Sequence, residues 1–584
     1  MIREAVLHIN TESYIYPISR KDLVVRIRCA KKDIKDCSVI YWSRTTPDAK
    51  TQCVMECVQS DELFDYYETI LSFSKVARYQ KYYFSLKDNQ GEHLYYSVNG
   101  FSTNAPEDGH FEYLYANGHD VVSVPEWAKG IIYYQIFPER FSDGDSFNNE
   151  PGYMAWGTMP TRENYMGGDL AGIHKQIPYL KDLGIECLYL NPIFEADFNH
   201  KYATTDYYKI DPIFGTNEDF KRFVEACHEA DIKIVLDGVF NHTGIHFKPF
   251  EDVLKNGKVS KYYDWFHITA DEIRISHHDY ECVGAYKYMP KLNSANKEVR
   301  AFILDVMDYW IANYGIDGWR LDVADEVDAS VWREARLILK EKYPEILLLG
   351  ETWGYGDKLL AGNQLDAVMN YMFRDAARDY FAKETIDVEM FDYRINHMLA
   401  GYKKNTNQIM YNLLDSHDTE RFLTMCDDDL RKLRLASAFQ MLFVGSPAIY
   451  YGDEIGLNGM NDPDCRKCMV WGEGQNQELK NWYKTWIKVR KEHPEIRKGS
   501  FKTVFIDKEK DVYGFVRQLD EEKTYVFLRK GTKDTREIMC PVLEGEKDYF
   551  DVLSKESIMN AQGVLCFTMD SYSVKVISTK SKKD

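Results

Sequence analysis

Four acidic side chains stand where apolar runs of this chain end: Asp237 in Asp237-Gly-Val-Phe-Asn241-His242, Asp322 in Gly318-Trp-Arg320-Leu-Asp322, Glu351 in Leu349-Gly-Glu351, and Asp418 in Ser416-His417-Asp418. Two carboxyl groups, one delivering a proton and one attacking carbon, are the equipment for breaking a glycosidic bond. Arg320 lies two positions before Asp322, on the same side of a strand. Its charge is expected to hold that carboxylate ionised, with a lowered pKa, as suits a nucleophile. Glu351 must start protonated to serve as an acid. It falls on the next run, and adjacent strands lie about 4.8 Å apart, close to the roughly 5–5.5 Å carboxyl separation of a retaining glycosidase. Any one of these acids could merely cap a helix; four, each with distinctive neighbours, favour a shared site. Neutral imidazoles of His242 and His417 can hydrogen-bond sugar hydroxyls, and Tyr202 in Asn199-His-Lys-Tyr202 can stack on the same ring.

The elements that must position these groups follow from periodicity. Strand candidates are Ile131–Phe137, Ile185–Leu190, Ile232–Asp237, Ile316–Asp322, Ile346–Glu351, Asp366–Met372, Ile409–Asp415 and Ala448–Asp453. Several are near-continuous apolar runs, as in parallel strands buried on both faces. Helical segments such as Glu218–Ala230 and Glu298–Tyr314 separate most of them. Eight β/α units predict an α/β fold, a (β/α)8 TIM barrel over 122–500, with reactive groups at the C-terminal strand ends. The long gap after strand three predicts a lid-like subdomain at about 243–293. Residues 1–121 alternate as short strands (Leu23 to Cys29, Tyr82–Leu86, His93–Ser97), with a helical period only near Asp61–Ser72. They predict a β-sandwich, a carbohydrate-binding-like module. Strands at Val512–Arg517, Thr524–Leu528 and Ser573–Ser578 predict a C-terminal antiparallel sandwich over 501–584, ending in a frayed tail at Lys580–Asp584.

Composition narrows the class. At 584 residues the chain exceeds one ordinary core. A net charge of −19 argues against nucleic acid or an anionic membrane as partner. No signal peptide and no apolar run long enough for a membrane helix is visible, so a cytoplasmic protein with reduced cysteines is expected. Cys465-Arg-Lys-Cys468 lacks the second pair that a zinc site needs. Aromatic residues reach 14%, which suits sugar stacking but is equally explained by aromatic cores.

The ordered set of segments resembles the α-amylase superfamily. Met289-Pro-Lys-Leu-Asn293, Asn199-His-Lys-Tyr202, Trp127-Ala-Lys-Gly130 with Tyr134-Gln-Ile-Phe-Pro-Glu-Arg-Phe141, and Asn461-Asp-Pro-Asp-Cys-Arg466 resemble its cyclomaltodextrinase, neopullulanase and maltogenic amylase group. The resemblance implies Asp322 as nucleophile, Glu351 as general acid/base and Asp418 as stabiliser. It implies that Arg320, His242, His417, Tyr202, Asp237 and Asn241 bind at the cleaved ring, that Asp462 and Arg466 grip sugars further along, and that Trp353 lines the leaving-group side. A retaining α-glucan hydrolase acting on cyclodextrins, pullulan and short maltodextrins is expected. The alternatives are a glucan transferase sharing the same intermediate, and a non-catalytic glucan-binding protein, which the intact acids disfavour. A homodimer is implied as well. So is a structural Ca²⁺ among Asp143, Asp145, Asn148, Asn149, Gly167 and Asp169, since hard oxygen ligands in a short loop suit this ion; an Asx-rich turn is the alternative. Departures from the family pattern are Ala203 where Asp often follows the Lys-Tyr pair, Asp415 before Ser416, and no His after Trp353.

Overall fold

In the computed structural model the described residues are 1–584 except 12, 119–120, 122, 147–148, 150–151, 271–272, 278, 532–533, 543–547 and 580–584. The expected tail at Lys580–Asp584 and the candidate ligand Asn148 lie outside them.

All eight expected barrel strands form: β1 (Tyr133–Ile136), β2 (Cys187–Leu190), β3 (Lys233–Gly238), β4 (Gly318–Leu321), β5 (Leu347–Gly350), β6 (Ala367–Val368), β7 (Tyr411–Leu413) and β8 (Ser446–Tyr450). They pair in parallel in the order β6-β5-β4-β3-β2-β1-β8-β7, and a bridge between Met369 and Tyr411 closes the ring. The strands are shorter than their apolar runs, so Asp322 and Glu351 sit one residue beyond β4 and β5. Nearly every strand residue is buried, because helices such as Asn217–Glu229, Lys297–Tyr314, Ala329–Lys342 and Leu430–Leu442 cover the outside. The first of these starts at a capping box, with Thr216 and Asp219 each satisfying the other's backbone N–H.

Two excursions rise above the barrel. A hairpin of Phe194–Ala196 and Thr204–Ile210, not foreseen from sequence, carries Tyr202 in its connection. After β3 the chain leaves through the helix Lys248–Asn256 and short turns, packed on Phe250, Phe266 and Tyr280, and returns at Lys291, which bridges to His242.

The N-terminal part packs a four-stranded sheet on a six-stranded one around Leu23, Val25, Ile27, Val39, Phe84 and Leu86. Phe64–Ser72 is a strand, not a helix, and pairs along its whole length with Asp22–Ala30. Its Tyr66, Tyr67, Thr69 and Ile70 suit a pleated surface, and tertiary pairing outweighs the weak helical period. From Ser500 onward the chain forms eight antiparallel strands that share one core, with Phe527 against Phe567 at 4.8 Å between ring centroids. Among the described residues, no helix is long and apolar enough to cross a membrane.

Gly318 opens β4 where there is no room for a side chain. An added Cβ would stand 2.8 Å from Leu347 Cβ and 3.3 Å from Val235 Cγ2. Gly318→Ala is expected to cost about 1–3 kcal/mol by overpacking β3 and β5, read as a fall in denaturant midpoint at unchanged m-value.

Candidate active site

Register delivers the site. Asp237 on β3 pairs with Arg320 on β4, and Leu321 pairs with Gly350 on β5, which places Asp322 beside Glu351 just past the strand ends. The Arg320 side chain is wholly buried at the centre. Its Nη1 donates to Asp237 Oδ1 at 2.8 Å and Asp322 Oδ1 at 2.7 Å, and its Nη2 stands 2.8 Å from Glu351 Oε2. Two adjacent nitrogens of one guanidinium thus hold the two reacting carboxyls. Glu351 Oε2 also accepts from Val323 N at 2.9 Å, and its Oε1 from Trp353 Nε1 at 3.2 Å.

Asp418 faces the same cleft from beyond β7. Arg466 Nη2 donates to its Oδ1 at 3.1 Å, and His417 Nε2 lies 3.0 Å from its Oδ2. Gln135 donates to His417 Nδ1 at 2.8 Å, which leaves the imidazole proton on Nε2. Tyr202 Oη lies 2.6 Å from that nitrogen and itself donates to Asp237 Oδ2 at 2.9 Å. The Tyr202 ring stacks on His417 with centroids 5.5 Å apart. Among the described residues neither buried ring nitrogen of His242 meets a well-aligned partner, the Tyr202 backbone being its one near neighbour for a hydrogen bond.

These groups line a cleft of about 490 Å³ that contains Tyr202, His242, Asp322, Glu351, Trp353, Asp418, Asp462 and Arg466, roofed by Tyr286, Tyr288 and Met289 of the segment after β3. Four expected sugar contacts, Arg320, His417, Asp237 and Asn241, lie off the cleft wall, the first two behind the carboxyls of Asp322, Glu351 and Asp418. The Asp237 side chain is fully buried and saturated by Tyr189, Tyr202 and Arg320. It therefore orients Arg320 rather than touching a sugar. Asn241 is engaged by Lys291 at 2.8 Å and Glu326 at 3.3 Å. Residues not foreseen in the cleft are Phe198, His200 and Tyr288. They extend the stack outward, with centroids 4.4 Å apart for Tyr288–Phe198, 5.5 Å for Phe198–His200 and 5.9 Å for His200–Tyr202. The alternation of rings in Phe198-Asn-His-Lys-Tyr202 is the signal that could have found them.

The electrostatics correct one expectation. Arg320 does favour the ionised form of Asp322, but burial, reinforced by Glu351 and Asp237, outweighs it and raises that carboxyl well above the usual range. Arg320 faces three carboxyls at once, and Asp237, like Asp322, is raised chiefly by burial. Burial lowers His242 to about 4 and drives His417 far below its ordinary value, helped by Arg466 and Arg320. Both imidazoles are therefore neutral hydrogen-bonding groups at working pH.

In the loop of the expected calcium ligands, Asn149 Nδ2 donates to Asp143 Oδ2 at 3.0 Å, while Asn149 Oδ1 is buried with no hydrogen-bond partner among the described residues. Gly167 (φ +86°) lies so close that a Cβ there would stand 2.2 Å from that oxygen. Asp169 caps the helix Leu170–Lys175 and accepts from Gly144 N, Asp145 N and Gly172 N, which makes it an organiser of the loop. Among the described residues no three His, Cys, Asp or Glu side chains converge as a metal cluster. The oxygen donors that fit a hard cation are Asp143, Asp145 and the unclaimed Asn149 carbonyl.

A parallel eight-stranded barrel with paired carboxyls, Asp322 and Glu351, in a cleft at its C-terminal strand ends defines a glycoside hydrolase. Residues 135–523 match the alpha amylase catalytic domain and residues 1–117 the alpha amylase N-terminal ig-like domain, and the chain belongs to the α-amylase family. It is 42% identical to a cyclomaltodextrinase of Thermoanaerobacter pseudethanolicus over 94% of this chain and 96% of that protein, and 42% identical to neopullulanase 2 of Thermoactinomyces vulgaris over 98% of both. A solved cyclomaltodextrinase structure superposes with a TM-score of 0.94 at 38% identity, covering 99% of this chain and 100% of that one.

His242→Gln is expected to lower kcat/KM by roughly 10–100-fold, the range for a lost hydrogen bond to substrate. The acid limb of the pH profile should stay in place, because an imidazole titrating near 4 is not the group that sets a limb above that pH. A limb that moved in the variant would contradict the neutral-histidine reading.

Proposed function

We propose that the protein hydrolyses α-1,4-glucosidic bonds of cyclodextrins, pullulan and short maltodextrins by double displacement. The observation that carries this is the Arg320 guanidinium holding Asp322 and Glu351 on neighbouring nitrogens at 2.7 and 2.8 Å. Glu351 gives its proton to the glycosidic oxygen as Asp322 attacks the anomeric carbon, forming a glycosyl-enzyme and releasing the leaving sugar. Glu351, now a base, takes a proton from water as water displaces Asp322, with net retention. Asp418, braced by Arg466, accepts hydrogen bonds from hydroxyls of the reacting ring. The cleft roofed by Tyr286 and Tyr288 supports short or cyclic glucans over long starch chains. Trp353, 54% exposed and stacked 4.4 Å from Tyr371 beside Glu351, offers a platform for an acceptor sugar and supports some transfer alongside hydrolysis.

A homodimer and a cytoplasmic location complete the proposal. A relative from Bacillus subtilis, 40% identical over 82% of both chains, is called an intracellular maltogenic amylase, and all twelve cysteines are free thiols. Exposed Met159 and Met460, close in sequence to the cleft residues Arg162 and Asp462, supply apolar surface for a partner copy. Sedimentation equilibrium yielding only the 68.4 kDa monomer would refute the dimer.

Asp322→Asn is expected to lower kcat by at least about 10⁴-fold while leaving glucan binding intact. Products from β-cyclodextrin, pullulan and soluble starch, analysed separately, test the specificity: fast ring opening with slow starch attack supports it, and the reverse order overturns the narrow-cleft reading. We further propose a structural Ca²⁺ at the 143–149 loop, held by Asp143, Asp145 and Asn149 with no part in bond cleavage. Chelation should then lower Tm by several degrees, with recovery on Ca²⁺ but not Mg²⁺; an unchanged Tm would leave the loop an Asx turn.

A further inference from the structure

Arg421 follows the Asp418 segment, yet its side chain is wholly buried away from the cleft. Its Nε donates to Cys465 O at 3.0 Å, and its Nη1 to Tyr451 O at 2.6 Å and Asp453 Oδ1 at 3.0 Å. Its backbone N–H reaches Gly459 O at 2.9 Å, and Gly459 N donates to Thr424 Oγ1 at 2.8 Å. One residue therefore ties the loop after β7 to the loop after β8 at three carbonyls. The second loop carries the working groups. Cys465 Sγ donates to His417 O at 3.1 Å, and Arg466 Nε donates to the same carbonyl at 2.8 Å. Arg466 then spans Asp418 at 3.1 Å and Asp462 at 2.8 Å.

The charge of Arg421 is met by a second acid pair beneath the first. Asp453 contacts the guanidinium directly, and Asp415 Oδ2 accepts from Phe422 N at 2.6 Å. Asp415 Oδ1 is buried without a well-aligned partner among the described residues, and burial raises both Asp415 and its neighbour Asp453 above the usual carboxylate range. The rings of Tyr450 and Tyr451 lie 4.1 and 4.9 Å from the guanidinium carbon, so water has little access.

We propose that Arg421 is a positioning residue for the reaction: by seating the Cys465 carbonyl it fixes Arg466, and through Arg466 the carboxylates of Asp418 and Asp462. This rests on the placing of Asp418 and Arg466 in the active site. A guanidinium suits this place better than an ammonium because its rigid fork presents two separate nitrogens, Nε to the Cys465 carbonyl and Nη1 to Tyr451 O and Asp453. A displacement of about 1 Å in such a brace is enough to cost up to roughly 100-fold in rate.

The test compares Arg421→Lys, Arg466→Gln and the double variant on maltohexaose, with thermal unfolding of each as the fold control and Asp418→Asn as the site control. The proposal expects R421K to lower kcat/KM by about 10–100-fold, and to add less than about threefold once Arg466 is already Gln, since both act on one link. An effect that adds in full, or a lowered Tm with kcat/KM per folded molecule unchanged, overturns it and leaves Arg421 a core pin. Should R421K not fold, Asp453→Asn loosens the anchor of the guanidinium while leaving Arg421 and the Cys465 carbonyl in place. A loss that vanishes in the R466Q background supports the proposal, and no loss overturns it. Retained activity in D418N would instead sink the reading of the site itself.

Discussion

Everything in the active site depends on one buried cation. The Arg320 guanidinium has no exposure and meets Asp237, Asp322 and Glu351 at once. An exposed ion pair of this kind would contribute about 0–1 kcal/mol. Inside the barrel, removal of one member of a buried pair typically costs about 3–5 kcal/mol. The cluster holds together only because neighbouring strands place its members before any substrate arrives. Three carboxyls compete for that one cation, and burial with its like-charged neighbours raises Asp322 although the nearest cation argues for lowering it.

The rest of the molecule is arranged around that constraint. Tyr189 and Tyr202 donate to Asp237, hydrogen bonds that favour its ionised form beside Arg320 although burial still raises its pKa. Tyr202 is shared with His417, and His417 is fixed from behind by Gln135. The hairpin after β2, the loop beyond β7 and strand β1 are thus coupled through three polar groups in an otherwise apolar barrel mouth. Burial that makes imidazolium unfavourable keeps the histidines neutral, so they add hydrogen bonds without adding a positive charge that would compete with Arg320.

The barrel was legible in the sequence because parallel strands buried on both faces write themselves as apolar runs, and acids at their ends stand out. Asp322, Glu351 and Asp418 could be placed from that pattern alone. Direction within the site was not legible. Asp237 and Asn241 occupy positions like the others, but Asp237 turns under Arg320 and Asn241 turns to Lys291. Such choices are made by partners tens of residues away. For the same reason Phe64–Ser72 misleads: its local period is ambiguous, and only the strand Asp22–Ala30 decides it. The hairpin bearing Tyr202 was hidden because its strands are short and irregular in register.

The sign of the Asp322 shift is the sharpest instance. From sequence, the nearest charge is Arg320 at two positions' distance, and pairwise reasoning lowers the pKa. In the folded chain burial and two further carboxylates, distant in sequence, outweigh that pair. Counting the nearest pair alone fails wherever several anions surround one cation, since each anion gains one attraction but also meets the repulsion of every other anion, on top of the cost of burial. The lower tier repeats this pattern, with Arg421 between Asp415 and Asp453. There neither acid lines the cleft, and the pair surrounds a buried cation that ties the loops after β7 and β8 together.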